Sequence, residues 1–271
     1  MSKIIDKDKT YVAGTYARAP IVFDHGKGSI VFDENGKEYI DLGTGIGVTA
    51  FGFCDDEWTK SVTEQINKLQ HASNLYYTKP CADLAELICE KTGLNKVFFA
   101  NSGAEANECA IKVARRYGEL KKGKDCYKII TLKNSFHGRT ITTLSATGQD
   151  VFHSKFTPLT DGFIYVDAGD IDAVKSYIDK GDVCAVIMES VQGEGGVLPL
   201  SDDFVSETVK IAKDNDVLVV FDEVQTGNGR TGKLYGYMNY SVTPDMFTTA
   251  KGLGGGLPIG ACVMGEKVKD V

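Results

Sequence analysis

Hydrophobic residues in this chain gather in short runs, and amphipathic stretches separate one run from the next. Five runs rich in β-branched and aromatic residues are typical of strands buried on both faces, at positions 97–100, 127–132, 163–166, 183–188 and 217–221. Apolar positions at helical spacing lie between them, as in 204–213 and in 104–117, which we expect to end at Gly118. This alternation predicts an α/β fold with a mostly parallel, doubly wound sheet.

The N-terminal part of the chain follows a different pattern. Residues 1–20 are polar without clear periodicity, so we predict no regular element there. The runs 29–33 and 37–41 flank an Asn-Gly turn, which predicts a β-hairpin. The glycines that follow are too dense for a regular helix, at Gly43, Gly45, Gly47 and Gly52. We therefore predict an N-terminal segment of a small domain over 1–60 and a large α/β domain over 61–271.

Composition and charge exclude several classes of protein. The 271 residues carry 30 basic and 37 acidic side chains, a net charge of −7, and no basic stripe that would favour nucleic acid or an anionic membrane. No apolar run is long enough to span a membrane, and the N-terminus lacks the apolar core of a signal peptide. Seven cysteines without a C-x-x-C pair fit reduced thiols better than disulfides or zinc. We expect a soluble cytoplasmic protein without a metal site.

The strongest chemical signal lies at two predicted strand ends. The strand over 217–221 runs into Asp222, and a second apolar run from Asp245 ends at Lys251, just before a glycine-rich stretch. Ligands of open α/β sheets bind outside the carboxyl ends of strands, so these two side chains are candidates for one site. Pyridoxal phosphate requires such a pair, a lysine that bonds to it and a carboxylate against its ring nitrogen. Taken singly, each residue is more simply a capping acid or a solvated lysine.

Three loops add candidate contacts. Where the strand 97–100 turns into a helix, Ser102 can cap the helix and Gly103 allows close approach, which favours a phosphate; an ordinary capped helix is the simpler alternative. In the loop after 127–132, Phe136 can stack on a planar ring and Arg139 can bind a carboxylate, whereas we interpret His137 as locally hydrogen-bonded. Two acids follow the strand 183–188 and either line a substrate pocket or are solvated, at Glu189 and Glu194.

Five motifs in a fixed order connect these loops: NSGAEAN, FHGR, QGEGG, DEVQTGNGRTG and TTAKGLGGGLPIGA. In order and spacing they resemble the class-III aminotransferases, pyridoxal-phosphate enzymes of fold type I, the aspartate-aminotransferase-like fold. The resemblance runs from about Ile21 to the last residues and is strongest to the members that act on acetylornithine and ornithine. It implies a homodimer, because in this fold both subunits build each site.

The resemblance also implies a role for each motif residue. Lys251 would bond to the cofactor and move the reacting proton, and Asp222 would pair with the ring nitrogen. The other predicted cofactor contacts hold the phosphate (Ser102, Gly103, Ala104), stack on the ring (Phe136) or lie beside it (Glu223, Val224, Gln225). The predicted substrate contacts are a carboxylate-binding arginine and two acids, Arg139, Glu189 and Glu194.

The implied reaction transfers the terminal amino group of N-acetylornithine to 2-oxoglutarate, in arginine biosynthesis. Ornithine, succinylornithine and 4-aminobutyrate remain alternative donors, and a glutamate-semialdehyde aminomutase or a cofactor-binding fragment without turnover remain alternative functions. The chain departs from the family at 52–56, where Gly-His-x-His-Pro is usual, and at Ser190, where proline is common. It also ends soon after Lys251, so we expect the C-terminal part of the family fold, with further substrate and phosphate contacts, to be missing.

Overall fold

The computed structural model describes residues 2–271 and separates into two compact units, one up to Ala72 and the other Ser73–Val271. The helical segments are α1 (Lys3–Tyr11), α2 (Thr44–Gly47), α3 (Asp56–Lys68), α4 (Lys79–Thr92), α5 (Gly103–Lys122), α6 (Ile141–Ala146), α7 (Asp150–His153), α8 (Ile171–Ile178) and α9 (Asp202–Asp214). The strands are β1 (Phe23–Lys27), β2 (Ile30–Asp33), β3 (Glu38–Ile40), β4 (Lys96–Ala100), β5 (Lys128–Leu132), β6 (Phe163–Val166), β7 (Val183–Met188), β8 (Val191–Gln192), β9 (Leu198–Pro199), β10 (Leu218–Asp222), β11 (Met246–Thr249) and β12 (Gly260–Met264).

The first unit contains an antiparallel sheet in the order β1-β2-β3. The predicted hairpin is confirmed as β2 and β3, and the Asp33 carboxylate accepts hydrogen bonds from the backbone N–H groups of Asn35 and Lys37 in its turn. Glycines also disrupt regular structure as predicted, because α2 is a single irregular turn with left-handed backbone at Gly45 and Ile46. The boundary predicted near residue 60 falls inside α3, and the structure keeps this helix whole within the first unit.

One prediction for the first unit is wrong, because the polar residues 3–11 form the helix α1. The Ser2 hydroxyl caps it by accepting a hydrogen bond from the N–H of Ile4 at 3.2 Å. None of its residues is buried, so the hydrophobic periodicity that would reveal a packed helix is absent from the sequence.

The second unit is built on a seven-stranded sheet in the order β4-β12-β11-β10-β7-β5-β6. The strands β11, β10, β7, β5 and β6 pair in parallel, while β12 runs antiparallel to both β11 and β4. Helices cover both faces of this sheet, with α5 on one face and α8 and α9 on the other. The predicted α/β class with a mostly parallel, doubly wound sheet is confirmed.

The central strand β10 divides its side chains between these two faces. Val219 and Phe221 lie in the core with α9, whereas Leu218 and Val220 lie in the core with α5. Successive side chains of a strand point to opposite faces, so the next even-numbered residue, Asp222, belongs to the α5 face. By the same alternation, the side chain of Glu223 belongs to the α9 face.

The long helix α5 does not end at Gly118 as predicted but continues to Lys122, with Gly123 as its C-cap. A methyl group on Gly118 would lie 2.1 Å from the carbonyl oxygen of Cys126 and 2.7 Å from Cβ of Cys184. Glycine is therefore required here for close packing of α5 on the sheet. A helix-terminating glycine and a packing glycine are indistinguishable in the sequence.

Replacing Gly118 by alanine tests this packing role. Alanine favours a helix by about 1 kcal/mol over glycine, but the added methyl group would overpack the core at a cost of about 1–3 kcal/mol. We expect a lower midpoint of urea unfolding than in the wild type. The control Lys112→Ala changes an exposed position of the same helix and should shift the midpoint little. A Gly118→Ala variant more stable than the wild type would contradict the packing role.

Candidate active site

The carboxyl ends of β10 and β11 bring the two predicted chemical residues into one region. Asp222 pairs with Thr248 in the parallel register of these strands, and Lys251 follows three residues later. Lys251 has a left-handed backbone with φ of 47°, which is uncommon for a residue other than glycine and typical of strained functional positions. The side-chain amide of Asn228 fixes this turn by donating to the carbonyl oxygen of Ala250 at 3.1 Å.

Asp222 is buried and accepts hydrogen bonds from three donors. Its Oδ2 atom accepts from Nδ2 of Asn107 at 2.8 Å and lies 2.7 Å from Nδ1 of His137, and its Oδ1 atom accepts from the N–H of Val224 at 3.0 Å. The amide oxygen of Asn107 in turn accepts from the hydroxyl of Thr248 at 2.7 Å. Burial alone would lower the pKa of His137, but the hydrogen bond and charge of Asp222 outweigh it and raise that pKa.

Lys251 is half-buried, and its amine makes no hydrogen bond or ion pair with any residue of 2–271. Burial lowers the pKa of Lys251, and the negative charges of Asp222, Glu194 and Glu189 oppose this effect only in part. The site therefore contains an amine of reduced basicity close to an ionisable acid. At neutral pH a larger fraction of such an amine is uncharged than in an ordinary lysine. More of it is therefore available to act as a nucleophile or to accept a proton.

The N-terminus of α5 presents backbone donors without a partner in the described part of the chain. The backbone N–H groups of Gly103 and Ala104 have no acceptor within residues 2–271, and the dipole of this 20-residue helix adds partial positive charge. The Ser102 hydroxyl caps the helix by accepting from the N–H of Glu105 and donates to the Glu105 carboxylate at 3.0 Å. In this arrangement the backbone donors, more than the serine hydroxyl, are free to bind a phosphate.

The loop after β5 carries the predicted aromatic and basic contacts. The half-buried Phe136 ring packs edge-on against Phe152 with a centroid distance of 5.6 Å. The guanidinium carbon of Arg139 lies 5.7 Å from the Phe136 centroid and 5.8 Å from that of Phe152. His137 bonds to Asp222, 85 positions away, so its interpretation as a locally bonded loop histidine is wrong.

The segment after β7 completes the arrangement. Glu189 is 5% exposed and accepts a hydrogen bond from the N–H of Phe136 at 2.9 Å, whereas Glu194 is exposed. Burial raises the pKa of Glu189 to about 7; the positive charge of His137 opposes this and the negative charge of Asp222 reinforces it. Gln225 lies close to this segment, because a Cβ atom on Gly193 would meet its side-chain oxygen at 1.7 Å.

Glu223, predicted as a cofactor contact, has its side chain in a different environment. Its carboxylate is completely buried and accepts hydrogen bonds from the hydroxyls of Ser190 and Thr226 and from the N–H groups of Gly236 and Tyr237. This agrees with the alternation along β10, which turns Glu223 away from the Asp222 face. Only its backbone remains as a possible contact to the cofactor.

Comparisons with known proteins agree with this geometry. The sequence model of the family Aminotransferase class-III matches residues 11–271. The acetylornithine aminotransferase of Haemophilus ducreyi is 49% identical over 263 residues, which cover 97% of this chain and 67% of that protein. The chain belongs to the class-III aminotransferases.

Solved structures support the same family. An N-acetylornithine aminotransferase from Stenotrophomonas maltophilia K279a superposes with a TM-score of 0.83 at 38% identity, over 97% of this chain and 65% of that one. An ornithine aminotransferase from Toxoplasma gondii, with partial occupancy of pyridoxal phosphate, superposes with a TM-score of 0.93 at 31% identity, over 98% and 64%. The chain thus spans about two thirds of the length of these relatives. The predicted resemblance and fold type are confirmed.

The donor set of this class-III chain fits pyridoxal phosphate. The amine of Lys251, which has no partner within residues 2–271, suits the aldehyde of that cofactor. The buried carboxylate of Asp222 suits its ring nitrogen, and the unpaired N–H groups at the start of α5 suit its phosphate. Within 2–271 no group of three or more His, Cys, Asp or Glu side chains is arranged to hold a metal ion, and no helix is long and apolar enough to cross a membrane.

Sequence reasoning missed three residues that support Asp222. Asn107 belongs to the NSGAEAN motif and lies one helical turn beyond Gly103, on the side of α5 that faces the sheet, but we assigned it no role. Thr248 reads as an ordinary strand residue, and its contact follows from register with Asp222. The position of Asn107, four residues after Gly103 in the same helix, could have indicated that it faces the site. The contacts of Thr248 and His137 join distant parts of the chain, so the sequence alone does not predict them.

The buried Glu189 should make stability depend on pH. Its folded pKa of about 7 lies above the value of about 4.3 in an unfolded chain, so the native state binds more protons between these values and loses stability as pH rises through them. Glu189→Gln removes this titration. In the cofactor-free protein, its stability relative to the wild type should rise by about 2–3 kcal/mol between pH 5 and pH 8.

Urea unfolding at both pH values measures this change. The control Glu207→Gln makes the same substitution on the exposed face of α9 and should show no such trend. His137, Asp222 and Lys251 are the titratable groups that interact with Glu189, and they remain in both variants. A stability difference for Glu189→Gln that stays constant from pH 5 to pH 8 would contradict the raised pKa.

Proposed function

We propose that this chain is the cofactor-binding part of a pyridoxal-phosphate-dependent acetylornithine aminotransferase. The reaction would transfer the terminal amino group of N-acetylornithine to 2-oxoglutarate and yield N-acetylglutamate 5-semialdehyde and glutamate. The observation that supports it most is the placement of the buried Asp222 and the half-buried Lys251 at the carboxyl ends of neighbouring parallel strands. The similarity of 44–49% to proteins named acetylornithine aminotransferase supports the donor.

When bound, pyridoxal phosphate would supply an aldehyde carbon that bonds to amines and a protonated ring nitrogen that withdraws electrons. Lys251 would hold the cofactor through its amine and then move a proton at the substrate carbon that bears the amino group. Burial lowers the pKa of Lys251, which increases the fraction of neutral amine able to accept that proton. Asp222 would keep the ring nitrogen protonated, because a carboxylate interacts strongly with a cationic N–H group in a buried site of low dielectric.

The remaining residues would bind and orient. The N–H groups of Gly103 and Ala104 would hold the phosphate, and Phe136 would stack on the ring. Gln225 would donate to the phenolic oxygen of the ring, and the backbone of Glu223 and Val224 would lie beside it. For the substrate, Arg139 would receive a carboxylate as a bidentate donor, while the exposed Glu194 lies 3.5 Å from Gln225 and is available to a second substrate group.

We further propose that the protein acts as a homodimer in the cytoplasm and serves arginine biosynthesis. These proposals rest on the family and on the names of its relatives. Size-exclusion chromatography with light scattering tests the dimer, since a monomer with full activity would exclude a site shared between subunits.

Two experiments test the activity. Borohydride reduction of the intact, cofactor-loaded protein followed by peptide mapping should label Lys251, and a label on any other lysine would reject the assignment. A panel of amines with 2-oxoglutarate should give the highest kcat/KM for N-acetylornithine. Preference for ornithine, succinylornithine or 4-aminobutyrate would change the donor, and turnover without 2-oxoglutarate would favour an aminomutase. Cofactor binding without any turnover would favour a non-catalytic role.

A further inference from the structure

Glu189 connects two of the loops that form the candidate site. It follows β7 directly, and its carboxylate Oε1 accepts the hydrogen bond from the N–H of Phe136 at 2.9 Å. The two residues are 53 positions apart in the sequence, so the bond ties the end of β7 to the loop after β5.

Side chains add to the backbone hydrogen bonds that hold the loop around Phe136. The carbonyl oxygen of Ser135 accepts from the amide of Gln149 at 3.0 Å, and the N–H of His137 donates to the hydroxyl of Thr147 at 2.9 Å. Glu189 supplies the corresponding acceptor for the N–H between them. Loss of that acceptor would leave a backbone donor unpaired in a largely buried place, and the loop would shift to satisfy it.

The position of Phe136 affects more than one proposed contact. Its ring packs against Phe152 and also lies 5.7 Å from the guanidinium carbon of Arg139. The proposed stacking of Phe136 on the cofactor and the proposed binding of a carboxylate by Arg139 therefore both depend on the position of Phe136. A movement of the Phe136 backbone would displace both.

The exposure of Glu189 argues against direct contact with substrate. The residue is 5% exposed, and one of its oxygens is already used by Phe136. Its electrostatic neighbours are the buried Asp222 and His137 and the half-buried Lys251. The acid of the same segment that is accessible to a substrate is Glu194, which is exposed.

We propose that Glu189 is a positioning residue that fixes Phe136, and with it Arg139, and does not bind the substrate. The proposal rests on the proposed function, in which Phe136 stacks on the cofactor. It replaces the role of Glu189 as a substrate contact that the family resemblance implies. Two substitutions separate these roles: Glu189→Gln keeps an oxygen acceptor for the N–H of Phe136, and Glu189→Met fills similar space without one.

The measurement is a titration of the cofactor-free, intact protein with pyridoxal 5′-phosphate, followed by absorbance. Glu189→Gln should keep the dissociation constant within about twofold of the wild type. Glu189→Met should raise it about 10-fold to 100-fold, as expected when a buried backbone N–H loses its acceptor. For Glu189→Gln, the KM for N-acetylornithine should stay at the wild-type value, which a substrate ligand would not allow.

A double-mutant cycle shows whether Glu189 acts through Phe136. Phe136→Leu should weaken cofactor binding by itself, and Glu189→Met should then have little further effect in that background. The control Glu207→Gln lies on the exposed face of α9 and should leave the dissociation constant unchanged. Independent, additive effects of the two substitutions would overturn the proposal.

Other outcomes are equally decisive. A raised KM in Glu189→Gln with unchanged cofactor affinity would overturn the proposal and make Glu189 a substrate ligand. If Glu189→Met does not fold, judged by far-UV circular dichroism, Glu189→Gln still decides, because a tenfold loss of its cofactor affinity would exclude positioning through the oxygen acceptor. Failure of the wild type to bind the cofactor or to transaminate would reject the proposed function instead.

Discussion

Replacing Lys251 by alanine should abolish transamination, with a fall in kcat of about 10⁴-fold or more, because both proposed roles of its amine are lost together. The variant would lack the group that bonds to the cofactor and the base that moves the proton at the substrate carbon. The fold should persist, since the amine of Lys251 makes no hydrogen bond or ion pair within residues 2–271. Steady-state rates and thermal unfolding of the intact protein measure the two effects.

The matched control for this substitution is Lys233→Ala. Lys233 is exposed on the loop between β10 and β11, and its loss should leave kcat within about twofold of the wild type because isolated surface charges contribute little. If Lys251→Ala retained a substantial fraction of wild-type kcat, the amine would not be the reacting group. The proposed chemistry at the end of β11 would then be wrong.

The alternation of strands and helices could be predicted because each central strand is buried on both faces. The six residues of β7 and the five of β10 are all buried, so nearly every position is apolar and the runs stand out. A polar residue at the end of such a run is conspicuous, which is why Asp222 and Lys251 were identifiable. Their proximity followed from the rule that ligands bind at the carboxyl ends of strands.

Other features depend on contacts that no local pattern encodes. The hydrogen bond from Asn107 to Asp222 joins residues 115 positions apart, and the packing that requires Gly118 comes from Cys126, just before β5, and from Cys184 in β7. The helix α1 has a capping serine but no buried residue, so no packed apolar face marks it in the sequence. Long-range hydrogen bonds and close packing between elements are therefore the features that the sequence alone does not predict.

The adjacent acids Asp222 and Glu223 illustrate how strand geometry assigns different tasks to similar side chains. Asp222 faces α5 and meets Asn107, while Glu223 faces the opposite side and holds the segment that leads to Tyr237. Ser190 donates to Glu223 at 2.6 Å, a bond that the proline common at this place in the family could not make. The departure at Ser190 thus adds a tie between β7 and β10 in this chain.

Replacing Asp222 by asparagine should lower kcat by about 10²-fold to 10⁴-fold and also destabilise the cofactor-free fold by about 1–3 kcal/mol. The carboxylate of Asp222 accepts from Nδ2 of Asn107 and from the N–H of Val224, and also from Nδ1 of His137 when that nitrogen carries a proton. An asparagine amide presents only one acceptor oxygen, so at least one buried donor loses its partner. The charge proposed to keep the ring nitrogen of the cofactor protonated would be lost at the same time.

His137 reports on this change directly, because Asp222 is what raises its pKa against the effect of burial. In Asp222→Asn the pKa of His137 should fall below its ordinary value, which a ¹H NMR titration of the imidazole measures. Asp214→Asn, an exposed site near the C-terminal end of α9, is the matched control and should change neither kcat nor that pKa. An Asp222→Asn protein with wild-type kcat would show that the buried carboxylate serves only the fold. Another group would then have to keep the ring nitrogen of the cofactor protonated.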